Sequence, residues 1–340
     1  MTGNDIKEEM LWCRYPECRY LAPRPHPVQR WMLRLFVQGL NLMLTIVRNP
    51  DKAIDAVIRL NRRVCGVRLK SQRVGSMRWP FLEGGTGEPI LLLHGFGADK
   101  DRFGSLVSYL RIRRKVVIPD LPGFGDHLPD WSISYGIDDQ VRRLETFVHL
   151  RSAVPYHLMG ISLGGYLAAY FAVRNPHLVK SLCLMSSAGF SSPVVSDAWS
   201  LYLKSGRNIF LCTTARDVQD QMDYLLHRPV KLPETVKRYW ARRGVALSAW
   251  RRKLFDDLMA GGVARMDDLA QHIKVPTLVL WGAQDRVMHV STVDNIMSRI
   301  ANCRAYIIHG CGHIPFIEYP VLSRKLYMDF LNRIKGADKK

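Results

Sequence analysis

Paired cysteines, acidic residues and long uninterrupted apolar runs are all scarce in this chain of 340 residues. Its seven cysteines (13, 18, 65, 183, 212, 303 and 311) are odd in number and contain no CxxC pair. That argues against a disulfide framework or a zinc site and favours a reducing compartment. Acidic residues number 30 against 49 Lys and Arg, giving a formal charge of +19 and a pI near 9.9. Such a field attracts polyanions. The basic residues are scattered, however, without an aromatic RNA-binding signature or zinc-finger spacing, so nucleic acid is the weakest partner choice. No internal repeat is evident. The first apolar run comes late and lacks a small-residue cleavage pattern, so no signal peptide is expected.

What is present is a chain with 47% hydrophobic residues, enough for one large core or a core with a smaller appended domain. Residues 1–27 read as polar and irregular, ending in a stiff Pro-rich lead. Residues 28–47 are apolar around most of a helix, with a narrow polar stripe at Arg30, Arg34, Gln38, Asn41, Thr45 and Arg48. A spanning helix needs about 20 mostly apolar residues. With Arg34 inside it, this segment fits a helix lying in a membrane interface better than a span, and packing on the protein's own core is the competing reading. A second, basic helix is expected over 50–64, opened by Asn49-Pro50-Asp51. Basic residues flank the 28–47 segment on both sides, and only the cysteine pattern tilts the expectation to the cytoplasmic face.

From residue 67 the pattern becomes strands alternating with helices, which implies a mostly parallel sheet with crossover helices. A hairpin is expected over 67–74 and 77–82, then buried strands at 89–93, 115–119, 156–161, 179–185, 275–280 and 305–308. Between about 187 and 272 the strands stop and only helical patterns appear. The expected organisation is an N-terminal extension (1–66), an α/β core (67–186 and 273–340) and a helical cap (187–272) over the sheet's carboxyl edge, where open α/β sheets bind ligands.

The chemistry centres on Gly160-Ile161-Ser162-Leu163-Gly164, with an apolar strand before it and a helical pattern after it. This is the context of a nucleophile elbow, a strained turn presenting a serine oxygen above the sheet. The serine needs a base, and the base needs an orienting acid. Asp285, directly after a strand, is the expected acid, and Asp294, inside the next helix, is a poor competitor. His313, in the glycine-rich loop 310–312, is the expected base, with His309 as its nearest rival. Oxyanion donors are expected from the backbone amides of Leu163 and of Phe96, which follows His94-Gly95 after the first buried strand. His94 should brace that loop. The Asp120–His127 loop reads as structural rather than as a metal site, and no metal or organic cofactor is needed.

These motifs, in the order HGFG, DLPGFGDH, GISLGG, WGAQDRV and GCGHIPFIEYP, resemble the α/β-hydrolase superfamily over about residues 76–335. The stretches 181–190 and 250–258 are similar to a narrower branch of monoacylglycerol lipases and bacterial membrane-anchored esterases, lipases and phospholipases A. The resemblance implies a lid over an acyl pocket, a triad of Ser162, Asp285 and His313, and oxyanion amides at Phe96 and Leu163. Leu163 stands where that branch usually has Met, and only its amide is required. The implied activity is hydrolysis of lipid-like carboxylic esters on an anionic membrane surface. Trp199, Tyr202, Phe210 and Tyr224 of the cap are expected to line the acyl channel. Carbon–carbon bond hydrolysis and a non-catalytic membrane-binding module stay open as alternatives, as does a homo-oligomer.

Overall fold

The computed structural model describes residues 15–23, 49–151, 154–262 and 264–337. The amphipathic segment expected at 28–47 lies outside the described residues. Among those described, no helix is long and apolar enough to cross a membrane.

The framework is a nine-stranded sheet in the order β1-β9-β8-β7-β6-β4-β5-β3-β2. Its inner strands are β4 (Pro89–Leu93), β5 (Lys115–Pro119), β6 (Tyr156–Ile161), β7 (Val179–Met185) and β8 (Thr277–Gly282). They are near-continuous apolar runs because both faces of the sheet are covered. Along β4, Leu91 and Leu93 enter one core while Ile90 and Leu92 enter the other, the period of two that a pleated strand imposes. Among the described strands, β3 (Met77–Gly84) alone runs against the rest, antiparallel to both β2 (Arg68–Val74) and β5. β2 and β3 form the expected hairpin, turning at Gly75, whose φ of 57° suits a glycine.

Two corrections concern the N-terminal part. Residues 18–21, read as irregular, form β1 (Cys18–Leu21), pairing in parallel with β9 (Cys303–Ile308) from Cys18↔Ala305 to Leu21↔Ile308. Four residues are too short to show a period. The open edge of β9 selects them, and they cover it. Cys18 is also disulfide-bonded, against the expectation of a chain without disulfides, while Cys65, Cys183, Cys212, Cys303 and Cys311 are buried thiols.

The basic helix α1 (Pro50–Val64) is present, with the Asn49 side chain capping the Lys52 amide. Its apolar side, Ile54 with Ala53 and Ile58, packs on Val236 and Tyr239. Arg62 makes paired 2.7 Å bonds to both oxygens of Asp101, while Arg59 and Arg63 remain exposed. The sequence reading passed over α2 (Gly104–Leu110), a short helix whose Leu106, Val107 and Leu110 cover one face of the sheet. On the other face lie α3 (Ile137–His149) and α4 (Leu163–Arg174). α4 is apolar all round because the sheet, α3 and α9 (Met266–Leu269) enclose it.

Between β7 and β8 the chain forms α5 (Asp197–Ser205), α6 (Ala215–Leu225), α7 (Glu234–Ala246) and α8 (Ser248–Ala260). Non-local hydrogen bonds seat this insertion. Trp250 Nε1 donates to Gly123 O at 2.8 Å, the Tyr135 amide donates to Asp257 at 2.9 Å, and Tyr239 Oη donates to Asp55 at 2.6 Å. After β8 come α10 (Thr292–Arg299), β9, the short α11 (Pro315–Glu318) and α12 (Pro320–Ala337).

Three buried histidines weaken this fold as pH falls, against the smaller opposite pull of Asp120, whose carboxyl is raised to about 6 by burial. Burial pushes His94, His127 and His157 each down to about 4, so all are neutral near neutral pH. The unfolded chain binds these protons already near pH 6.5, and the folded chain refuses them until about pH 4. Folded-state values below the unfolded ones mean that stability falls as pH drops through this window, by up to about 1.4 kcal/mol per unit per histidine. Urea midpoints measured from pH 6.5 to 4.5 should decline, and His157→Gln should flatten the slope. A midpoint indifferent to pH over that range refutes this account.

Candidate active site

Ser162 joins β6 to α4 with φ 55° and ψ −121°, a conformation that few non-glycine residues adopt. Its surroundings hold it there. The Ser162 amide donates to Met185 O at 3.0 Å, and its carbonyl accepts from the amides of Gly165 (2.9 Å), Tyr166 (3.1 Å) and Ala188 (3.0 Å). The two elbow glycines are spatial necessities. A Cβ on Gly160 would lie 2.1 Å from Gly164 O, and one on Gly164 would lie 2.2 Å from Leu93 O.

Asp285 follows β8 on a tight turn, and its Oδ1 accepts from the amides of Val287 (2.8 Å) and Met288 (2.9 Å). Its Oδ2 faces His313 Nδ1 at 2.8 Å. An ionised carboxylate only accepts, so Nδ1 carries the proton and Nε2 is left as the basic nitrogen. His313 comes from the loop after β9, where its own amide donates to Leu225 O at 2.8 Å. Ser162, Asp285 and His313 are all buried.

The loop after β4 closes the other side. Gly95 passes so near the elbow that an added Cβ would lie 3.2 Å from Ser162 Cβ. The His94 ring makes two hydrogen bonds at this loop. Its Nε2 accepts the Leu121 amide at 2.9 Å, so its proton sits on Nδ1, which donates to Gly95 O at 2.8 Å. Phe96 follows on this loop. Leu163 opens α4, so its amide belongs to the first turn, which has no intrahelical acceptors. An anion above Ser162 therefore meets the positive end of a helix.

The rejected candidates have other employment. The His309 ring stands beside Tyr20, its Nδ1 is 3.4 Å from Gln284 Nε2, and its amide donates to Leu21 O. Burial raises the Cys311 thiol far above its ordinary value, which keeps it protonated and inert. In the 120–127 loop, Lys100 Nζ bridges Asp120 (2.8 Å) and Asp126 (2.6 Å), and Asp120 also accepts the Lys100 and Asp126 amides. This lysine offsets one of their two charges, and burial raises the Asp120 carboxyl to about 6.

Of the cap aromatics expected at the channel, Phe210 has its ring centroid 5.7 Å from that of Phe96. Tyr202 reaches Phe96 through Phe255 (5.3 and 5.9 Å), and Trp199 packs on Tyr202 at 5.3 Å. Tyr224 packs on the same cluster of Ala198, Ile209 and Leu225 as Phe210, with the Arg286 guanidinium 4.4 Å above its ring. Sequence reasoning missed Phe255 and Phe124, which also flank Phe96. A helical pattern shows which residues are apolar, not whether they face a cleft or another helix.

A sequence profile for the alpha/beta hydrolase fold matches residues 88–320, and the chain belongs to this family. Lipase 1 of Psychrobacter immobilis is 30% identical over 267 residues, covering 77% of this chain and 83% of the lipase. Monoacylglycerol lipase abhd6-B of Xenopus laevis is 29% identical over 323 residues, 89% of this chain and 94% of its own length. Among solved structures, a bacterial membrane phospholipase A superposes with a TM-score of 0.80 at 32% identity, covering 90% of this chain and 99% of that one.

Two substitutions test the arrangement. Asp285→Asn leaves the shape but offers an amide where the imidazole needs an acceptor, and should lower kcat about 10⁴-fold. Gly164→Ala places a methyl group against Leu93 O and should remove activity together with a clear drop in melting temperature. Near-native turnover in either variant contradicts the geometry above.

Proposed function

We propose that the protein is a serine carboxylic-ester hydrolase that cleaves lipid-like acyl esters, such as monoacylglycerols and lysophospholipids or phospholipids, through an acyl-enzyme. The observation that carries the proposal is the pairing of a strained serine at the head of α4 with a histidine oriented by a buried carboxylate.

In this reading His313 Nε2 takes the Ser162 proton as Oγ attacks the ester carbonyl. The tetrahedral oxyanion is met by the Phe96 and Leu163 amides, each such donor contributing about 3 kcal/mol to the barrier reduction. The carbon–oxygen bond to the alcohol breaks, and the protonated imidazole returns its proton to that alcohol. Water then attacks the acyl-serine with His313 again as base, releasing the fatty acid and restoring Ser162. Asp285 holds the imidazole tautomer throughout and stabilises its positive form.

The aromatic series Phe210–Phe96–Phe255–Tyr202–Trp199 supports an acyl-binding wall from the oxyanion loop into the insertion. Tyr224, packed under Arg286, shares with Phe210 the cluster around Ile209 and Leu225 beside that wall. Membrane association is part of the proposal, supported by the basic surface, the 28–47 segment and the membrane phospholipase neighbour. The thiol argument for the cytoplasmic face no longer carries weight. Cys18 is disulfide-bonded, and the free thiols among the described residues are buried.

The deciding experiment is hydrolysis of an acyl-chain series of glyceryl and p-nitrophenyl esters, wild type beside Ser162→Ala, with and without anionic liposomes. Turnover that disappears in Ser162→Ala and rises with liposomes supports an interfacial lipid esterase. Serine-dependent turnover indifferent to liposomes removes the membrane part of the proposal. Absence of ester turnover overturns it and favours carbon–carbon substrates. Phe255→Ala should shift the preferred chain length while sparing the shortest ester, and an unchanged chain-length profile sinks the acyl-wall assignment.

A further inference from the structure

Glu318 stands outside the Ser162–His313–Asp285 arrangement, yet its carboxylate joins the histidine loop to the insertion. It ends the short α11, whose first turn returns the Ile317 and Glu318 amides to Ile314 O at 3.0 and 3.2 Å. That turn brings the side chain back beneath residues 310–313. There Oε2 accepts the Gly312 amide at 2.5 Å, one residue from His313. Oε1 accepts the Arg228 amide at 3.1 Å, and the His227 amide donates to the same carboxylate. Residues 227 and 228 directly follow the end of α6, so one carboxylate spans two separate parts of the chain.

The contact is close on every side. Leu225 O accepts the His313 amide at 2.8 Å, and a Cβ on Gly312 would lie 2.7 Å from the His227 nitrogen. On the far side of the loop, Gln284 Oε1 accepts the Gly310 amide at 2.6 Å, and the Gln284 amide donates to Cys311 O at 2.9 Å. A loop containing Gly310 and Gly312 has little conformational preference of its own, so these external bonds must supply its shape. Burial raises the Glu318 pKa, and the backbone amides oppose that rise by stabilising the charged form.

We propose that Glu318 is a positioning residue for His313. Its carboxylate fixes the histidine loop against residues 227–228, so that the imidazole is held at Asp285 only while that edge of the insertion is seated. The inference rests on the esterase reading above and assigns the α6 edge as an anchor of the catalytic loops rather than an opening flap.

The test compares wild type, Glu318→Ala and Glu318→Gln on a soluble p-nitrophenyl ester, with Ser162→Ala as background. Rates are expressed per serine that a fluorophosphonate labels at completion, and melting temperatures are recorded alongside. A misplacement of the base by about 1 Å lowers rate by up to about 100-fold. Glu318→Ala should therefore lose about 10- to 100-fold in kcat per labelled site, with KM within about twofold of wild type. Glu318→Gln keeps one acceptor oxygen and the same volume, and should lose less. If melting temperature falls while kcat per labelled site stays at the wild-type value, the residue is merely structural and the inference fails. Should the alanine variant not fold, the glutamine variant decides by the same criterion. A wild type without serine-dependent turnover overturns the esterase reading instead, and the two failures are read from different samples.

Discussion

The backbone of Ser162 is the constraint on which the rest of the structure depends. A serine at φ 55° is unfavourable alone and persists because neighbouring chain over-determines it. Met185, at the end of β7, accepts its amide, and Ala188, just beyond β7, donates to its carbonyl. The close approach of Gly164 to Leu93 locks α4 against the end of β4. Those contacts exist only if β4, β6 and β7 lie side by side with fixed register, which their apolar runs and double-sided burial enforce. The sheet thus serves the turn as much as the turn serves the sheet.

A second dependence links the insertion to the loops that carry Asp285 and His313. Arg286, next to Asp285, pairs with Asp197 at the start of α5 and lends its carbonyl to the Ala198 amide. Val287, Met288 and Ile314 pack with Ala198, Ile209 and Leu225 in one cluster. The residues flanking the two titratable groups therefore form the floor on which α5 and α6 rest. The insertion's packing and the alignment of Asp285 with His313 are one problem, solved with the same side chains.

Legibility in the sequence followed the range of the forces involved. The strands Pro89–Leu93, Lys115–Pro119 and Val179–Met185 have the boundaries that their apolar runs suggest, because burial on both faces writes itself into consecutive residues. The elbow was legible because Gly160 answers a collision within its own turn, although Gly164 answers one with the distant Leu93. Asp285 and His313 are distant in sequence, but each follows a strand, and the structure brings them to 2.8 Å. What stayed hidden depends on partners far away in the chain. β1 exists because β9 has an open edge, and Glu318 matters because residues 227–228 happen to lie against it. Nothing local to Cys18–Leu21 or to Glu318 announces either contact. The aromatic residues around Phe96 fall between these cases, apolar by composition but facing a cleft only by tertiary placement.

The pairing of β1 with β9 also changes what kind of attachment residues 24–48 make. Leu21 is fixed opposite Ile308, at the carboxyl end of the sheet and five positions before His313. On the other side, Asn49 caps α1, and α1 is packed on α7 of the insertion. The described residues on both sides of 24–48 are thus fixed to the body. A one-point tether gives a surface only proximity, whereas a two-point tether also gives it orientation. A surface held through that stretch of chain would meet the rim of the sheet that holds Ser162 over a restricted range of angles.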